Sequence, residues 1–482
     1  MTDGPRAGVL QARGNQLFAE GHLPEALAAF EAVIALDPTF APAHHNRGMA
    51  LGALGRWAEA VEAFDTAIAL APDYAQAFDN RGGALRSLGR PGAALASHDR
   101  ALALAGDVAA THANRAAALH DLGRPAEALA SADRAIALDP GLGQAHHNRA
   151  AALYRLARPA EAILSYQRAL ALDPGDHAAR FELGLAHLLL GDFSQGWPLY
   201  ESRKAVLGDP AAGLAPARAW TGHDDIAGAR LLVLAEQGLG DTLQFARFVP
   251  GLAALGARVT LRAPRTLAPL LARSLPGVAI VDDRAPVPNH DRHCALMSLP
   301  LALSQRGDTD LAAHEPLQPD RDRIALWRER LGEPRRRRIG LAWSGAPYHP
   351  DDRNRSIALA RLAPLLSADA DFVCLQSVIR PEDAEHSARL RVVAPGPALA
   401  DFDDTAALAS LMDLVIAVDT SVAHLAASLG RPTWILLPFA PDWRWSLRGR
   451  ACPWYPTARL FRQPALGDWE AVIADATLSL RG

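Results

Sequence analysis

The sequence predicts an α plus α/β protein: a helical repeat array followed by two α/β lobes, each on a parallel sheet. Three observations predict this. Small residues, alanines and prolines recur every 34 positions through the first two hundred residues, as stacked helix pairs require. From about Ala227 the pattern changes to short apolar runs alternating with helical spacing, which reads as βαβ units. A Pro- and charge-rich interval, about Asp308 to Arg338, separates one such lobe from another. The boundaries read 1–206 for the array, 207–226 for a linker, 227–319 for the first lobe and 335–482 for the second.

In the array, Gly14, Gly48 and Gly82 are continued by Ala116, Ala150 and Gly184. Ala26, Ala60, Ala94, Ala128 and Ala162 keep the same period, as do Pro38, Pro72, Pro140 and Pro174. This is the tetratricopeptide signature: small residues let two antiparallel helices approach, and proline ends the second helix. Phe30, Phe64 and Tyr166 fill the space toward the next repeat, while the third repeat carries His98 and Gly106 in the aromatic and proline columns. A sixth unit, "HAARFELGLAHLLLGDFSQGWPLYESR", is expected to cap the stack and dock it on the next domain. Asn46, Asn80, Asn114 and Asn148 form another 34-residue column on the first helices. An amide both donates and accepts, so the column fits a grip on an extended polypeptide; it fits equally well bonds between neighbouring repeats.

In the first lobe "RLLVLAEQ", "RVTLRAP", "GVAIVDD" and "CALMSLPLAL" follow one another, with the helical stretches "DTLQFARFVPGLAAL" and "TLAPLLARSL" between the earlier ones. In the second, the strand candidates are "RIGLAWSG", "DFVCLQS", "LRVVAPG", "DLVIAVD" and "TWILLP". Ligands in such sheets bind beyond the carboxyl ends of strands, so those residues are the ones to inspect.

Composition removes several classes. The formal charge of −4 over 482 residues gives no broad attraction to nucleic acid or anionic lipid. Arg335 to Arg338 is the one dense basic block, read as a solvated approach to a strand. The N-terminal stretch lacks the apolar core of a signal peptide and no segment has membrane-spanning length, so a cytoplasmic protein is expected. Cys294, Cys374 and Cys452 have no metal-ligand spacing. Lys204 is the sole lysine and follows no glycine loop, which removes P-loop and pyridoxal chemistry.

At the strand ends, "EQGLGDTLQF" has Gly238 and Gly240 for a tight turn, with Asp241 or Thr242 to cap the next helix. Leu243 and Arg262 stand where a dinucleotide fingerprint wants glycine and an acid, which disfavours a nicotinamide enzyme. Asp241 reads either as a cap or as a general base facing a cleft. Ser344 and Gly345 end another strand and precede a polar loop with Arg353 and Arg355. Asp419 ends a buried strand, and Thr420 or Ser421 caps the helix after it, whose first-turn amides suit a phosphate. His424, one turn in, fits either that phosphate or a backbone carbonyl. Trp443, Trp445, Trp454 and Tyr455 fit stacking on a sugar or base, or packing; Asp442 and Arg444 are candidates for a cleft rim.

"GLGDTLQFARFVP" together with "VDTSVAHLAASLGRP" resembles the heptosyltransferase-like GT-B glycosyltransferases, with two Rossmann-like lobes. Joined to tetratricopeptide repeats, it resembles O-GlcNAc transferase and bacterial protein glycosyltransferases, including those that modify flagellin. The resemblance implies that Asp241 is the catalytic base and that Arg355, Thr420, Ser421 and His424 meet the donor diphosphate. It places Gln376 near the nucleotide, with Ser344, Gly345 and Asp419 in the same donor site. The implied reaction moves a sugar with inversion from a nucleotide-sugar to a hydroxyl of a polypeptide held by the repeats. No Asp-x-Asp pattern stands at a strand end, so no metal and no cofactor is expected. The rival reading is an interaction scaffold whose α/β half no longer turns over. The first lobe is short for GT-B, and arginine at 355 replaces what is often lysine.

Overall fold

The computed structural model describes residues 4–304, 315–349, 351–390 and 392–481, so part of the interval that begins near Asp308 lies outside the described residues. The chain divides into two compact units, Met1–Leu183 and Gly184–Gly482.

The first unit is a run of helix pairs: Gly4–Ala19 with Leu23–Leu36, Ala41–Ala53 with Trp57–Leu70, Ala75–Ser87 with Pro91–Ala105, Ala109–Asp121 with Pro125–Leu138, and Gly143–Arg155 with Pro159–Leu172. The small-residue column acts as the sequence predicts. A Cβ at Gly14 would lie 2.6 Å from the Phe30 ring, and one at Gly48 the same distance from Phe64. At Gly82 it would meet His98 at 2.5 Å. His98 is fully buried in the aromatic slot, and its Nδ1 lies 2.7 Å from Asp79 Oδ1. The two helices of each pair meet at a left-handed residue: Gly21, Gly55, Gly89, Gly123, and then Ala157 at φ 55°. Only alanine in that column bears the Cβ clash, about 1–2 kcal/mol.

The second unit starts inside the sixth repeat and contains two sheets with all strand pairs parallel. The first comprises β1 (Arg230–Leu234), β2 (Arg258–Ala263), β3 (Ala279–Asp282) and β4 (Arg292–Ala295), in the order β3-β2-β1-β4. The second comprises β5 (Arg337–Ala342), β6 (Ala370–Cys374), β7 (Leu414–Val418), β8 (Thr433–Leu437) and β9 (Ala458–Arg462), in the order β6-β5-β7-β8-β9. Ile339, Leu341, Leu414, Ile416 and Leu436 fill its core with Trp469, Val472 and Ile473 of the last helix. Each sheet reverses its strand order once, at β1/β4 and at β5/β7, and such reversals open the crevices where ligands sit.

Two expectations need correction, and one strand was not expected. "LRVVAPG" is no strand of the sheet: Val393 makes one isolated bridge to Val373, and Pro395 follows. Residues 458–462, unremarked in the sequence, form β9 on the opposite edge. Within the arginine block Arg338 is buried, with its guanidinium donating to the carbonyls of Leu331 and Gly332, so only the earlier arginines are solvated. Among the described residues no helix is long and apolar enough to cross a membrane.

Candidate functional site

The site forms at the carboxyl ends of β1, β5, β6 and β7, within the second unit. The helix Leu239–Phe245 from the first lobe packs against the helix Ser421–Ser428 from the second. Gly240 makes that approach possible: a Cβ there would lie 2.8 Å from His424 Cδ2 and 3.5 Å from the Cα of Ser421.

Thr420 occupies the N-cap position of the second helix in extended conformation (φ −145°, ψ 168°), but no side chain caps that helix. The capping expected of Thr420 or Ser421 is therefore absent. Thr420 is 7% exposed and its hydroxyl has no hydrogen-bond partner. Arg355 crosses from the loop after β5, and its Nη1 donates to the Asp419 carbonyl at 3.0 Å, while its buried Nε has no partner. Gly345 accommodates it, since a Cβ there would meet Arg355 Nη2 at 2.7 Å. Gln376 is committed to the loop itself: its Oε1 accepts from the amides of Trp343 (2.5 Å) and Ser344 (3.0 Å), and its Nε2 donates to Ser344 Oγ at 2.9 Å.

The electrostatics concentrate on the Asp419 carboxyl and the His424 imidazole, with Asp442, Arg355 and Arg444 around them. Burial and the nearby Asp442 carboxylate push the Asp419 carboxyl up to about 7, against the pull of Arg355 and Arg444. Burial holds the His424 imidazole well below its usual range, as do the arginines around it, so it is neutral. Its Nδ1 lies 2.9 Å from the Tyr455 hydroxyl and its Nε2 4.0 Å from Asp419 Oδ1. A side chain therefore partners the Nδ1 of His424, in place of the backbone carbonyl that was one of its two readings.

Asp241 is not the N-cap; Gly238 is, and Asp241 reaches back from the third helical position to accept from the Gly238 amide at 2.8 Å. Its other oxygen accepts from Arg444 Nη2 at 2.5 Å. Arg444 is buried rather than on a rim. It donates to Asp442 Oδ1 and to Gln244 Oε1, both at 2.8 Å, and lies over the Trp443 ring at 4.3 Å. It thereby ties both lobes together. Trp443 and Trp454 pack with Trp197, Phe245 and Phe193, so this aromatic segment is packed.

The structure thus brings together Asp241, Gly345, Arg355, Asp419, Thr420, Ser421 and His424, with Ser344 and Gln376 bracing the loop behind Gly345. Among the described residues no three His, Cys, Asp or Glu side chains converge as a metal-ligand set.

The asparagine column lies in the first unit. Asn46 Nδ2 donates to Asn15 Oδ1 (2.9 Å), Asn114 Nδ2 to Asp79 Oδ2 (3.2 Å) and Asn148 Nδ2 to the Ala113 carbonyl (2.8 Å); Asn80 Nδ2 lies 2.8 Å from His45 Nε2. Each amide spends one N–H on the repeat before it.

Residues 14–55, 39–107 and 143–176 match tetratricopeptide repeat families, and residues 387–437 match glycosyltransferase family 9 (heptosyltransferase). The chain joins tetratricopeptide repeats to a glycosyltransferase-like half. The matched stretch of that half covers β7, the Ser421–Ser428 helix and β8. Protein FlbA of Caulobacter vibrioides is 31% identical over 322 residues, which cover 61% of this chain and 53% of FlbA. The chain thus spans about half the length of that curated relative. Among solved structures, PilW, a type IV pilus biogenesis factor, is 19% identical over 42% of this chain and 93% of its own, with a TM-score of 0.39. TTC0263, a thermophilic TPR protein of Thermus thermophilus, is 25% identical over 38% and 99%, with a TM-score of 0.34.

Proposed function

We propose that this chain is an inverting glycosyltransferase of GT-B type that takes a sugar from a nucleotide-sugar and delivers it to a hydroxyl of a polypeptide held by the repeats. One observation carries the reading: an uncapped helix start, with the buried, unpartnered hydroxyl of Thr420 and Nε of Arg355 beside it, at the β5/β7 reversal. A buried polar group without a protein partner leaves its bond to be completed by water or by a ligand, and here two such groups stand beside the same helix start. Helix-end amides and a guanidinium both suit phosphate oxygens.

In the reaction, the acceptor oxygen attacks the anomeric carbon as the bond from that carbon to the diphosphate breaks. The hydroxyl proton goes to a carboxylate, and negative charge gathers on the departing nucleoside diphosphate, where the Ser421–Ser428 helix start and Arg355 stabilise it. Asp241 takes the proton, with a lone pair left beyond those used by Gly238 and Arg444. The second N–H of each asparagine amide and its oxygen meet the acceptor backbone. No step needs a cofactor.

The test is intact-mass measurement of proteins from the source organism after incubation with the full chain and individual nucleotide-sugars. A gain of one sugar residue on a particular protein is expected; no gain with any donor overturns the reading. A scaffold without turnover is the second reading, favoured by the Arg444 and Gly238 contacts on both Asp241 oxygens. Donor binding without any mass gain would support it.

A further inference from the structure

The loop from β1 to the Leu239–Phe245 helix carries Asp241, and it contains a strained residue. Gln237 sits at φ 60°, the left-handed region that side chains with a Cβ avoid. Something must hold it there, and its own side chain and the residue before it are held by the chain that ends the sixth repeat. Gln237 Nε2 donates to the Tyr200 hydroxyl at 3.3 Å, and Tyr200 is the last residue of the repeat's second helix, Phe193–Tyr200. Glu236, immediately before, accepts from Arg203 Nε at 3.0 Å and from Arg203 Nη2 at 2.7 Å.

Arg203 is wholly buried and its other bonds complete a closed network. Nη1 donates to Glu201 Oε1 at 2.7 Å, Nη2 donates to Ser298 Oγ at 2.9 Å, and the guanidinium lies 4.9 Å over the Tyr200 ring. Glu236 also accepts from the Met297 amide at 3.1 Å, just beyond β4. The network therefore fills the β1/β4 reversal of the first sheet, the place where a ligand would otherwise enter. The Phe193–Tyr200 helix is fixed in turn by Trp197, whose ring meets Phe245 and Trp443.

We propose that Tyr200 and Arg203 are positioning residues for the transferase site: they hold Glu236 and Gln237, and through them the loop that aims Asp241. The end of the sixth repeat then belongs to the catalytic half, and a fragment beginning at Ala227 lacks part of its own site. This rests on the transferase reading, and the assay separates the two failures.

The experiment measures donor affinity, turnover and thermal midpoint for the full chain and for Tyr200→Phe, Gln237→Ala and their double variant, using the nucleotide-sugar that gives transfer. Tyr200→Phe keeps the ring packing and removes only the hydroxyl. Turnover is expected to fall about tenfold or more in each single variant, because small misplacements of a catalytic group are costly. Donor affinity is expected to stay within twofold, since the Ser421 helix start is untouched. The double variant is expected to be no worse than either single one. Arg203→Lys, which keeps the charge but loses the two-pronged grip on Glu236, is expected to behave like Tyr200→Phe. Wild-type turnover in Tyr200→Phe and Gln237→Ala overturns the proposal. So do equal losses of turnover and donor affinity, or fully additive losses in the double variant. Absence of transfer by the wild-type chain instead removes the reading on which the proposal stands.

Discussion

Replacing Arg444 by methionine tests how the two lobes are joined. Its guanidinium is the common partner of Asp241 and Gln244 on the Leu239–Phe245 helix and of Asp442 beyond β8. Arg444→Met keeps much of the stem's packing and removes three charge-assisted bonds. Removing one partner of a fully buried ion pair costs about 3–5 kcal/mol, because the other charge stays behind unpaired. Here the side chain of Arg444 is 8% exposed but those of Asp241 and Asp442 are 20% and 36% exposed, so water can take up part of the loss. The lower end, about 3 kcal/mol, is the expected cost. The assay is urea unfolding followed by tryptophan fluorescence. Of the ten tryptophans only Trp57 lies in the first unit, so the signal reports the second. With an m-value of about 2 kcal/mol/M, the midpoint should fall by about 1.5 M. A loss below about 1 kcal/mol would show that Arg444 behaves as a surface ion pair and that the lobes are held by packing and by their other bonds, such as Arg247 to the Trp454 carbonyl and Arg273 to Asp403.

Three further outcomes are expected. Gly240→Ala places a methyl against His424, which Tyr455 and Trp445 hold in place, and should cost about 1–3 kcal/mol by overpacking; an unchanged thermal midpoint would refute the close approach. His147 lies between Asp176 and Glu182, and although burial alone would lower it, their carboxylates raise it to about 9. Its stabilisation is therefore fully present below pH 6.5 and lost as pH rises through about 9; His147→Ala should cost about 2 kcal/mol at pH 6 and flatten the alkaline fall, measured by far-ultraviolet circular dichroism. Asp419 has its folded value raised from 3.8 to about 7, so its contribution is present below pH 3.8 and lost as pH rises through about 7. Asp419→Asn should remove that slope and raise the thermal midpoint relative to wild type at about pH 8 but not at about pH 4; a pH-independent difference would contradict the buried-carboxyl account.

The repeats were legible because helix packing is local: a glycine and the ring that covers it stand 16 residues apart, as Gly14 and Phe30 do, and recur on a fixed period. The strand ends were legible for a related reason, since an apolar run that stops at Asp419-Thr420-Ser421 and resumes with helical spacing needs only neighbours to be read. Arg444 and Arg203 were not legible as buried residues. Their partners are 203 and 33 positions away, at Asp241 and Glu236, and arginine on its own reads as surface. β9 was missed because "ARLFR" is only five residues long, and Arg459 and Arg462 break its apolar run. The left-handed column of Gly21, Gly55, Gly89 and Gly123 could have been found from its spacing, and Ala157 is the place where composition departs from what the turn requires.

The central claim is that an anionic ligand completes the bonding at Thr420 and Arg355. Calorimetric titration of the full chain with a panel of nucleotide-sugars, repeated for Arg355→Ala and Thr420→Val, tests it most directly. The account predicts saturable binding of at least one donor, weakened roughly ten- to a hundredfold by Arg355→Ala, as loss of a charge-assisted contact worth about 1.5–3 kcal/mol requires. Binding that is equally tight in both variants, or no binding by the wild-type chain, would contradict it.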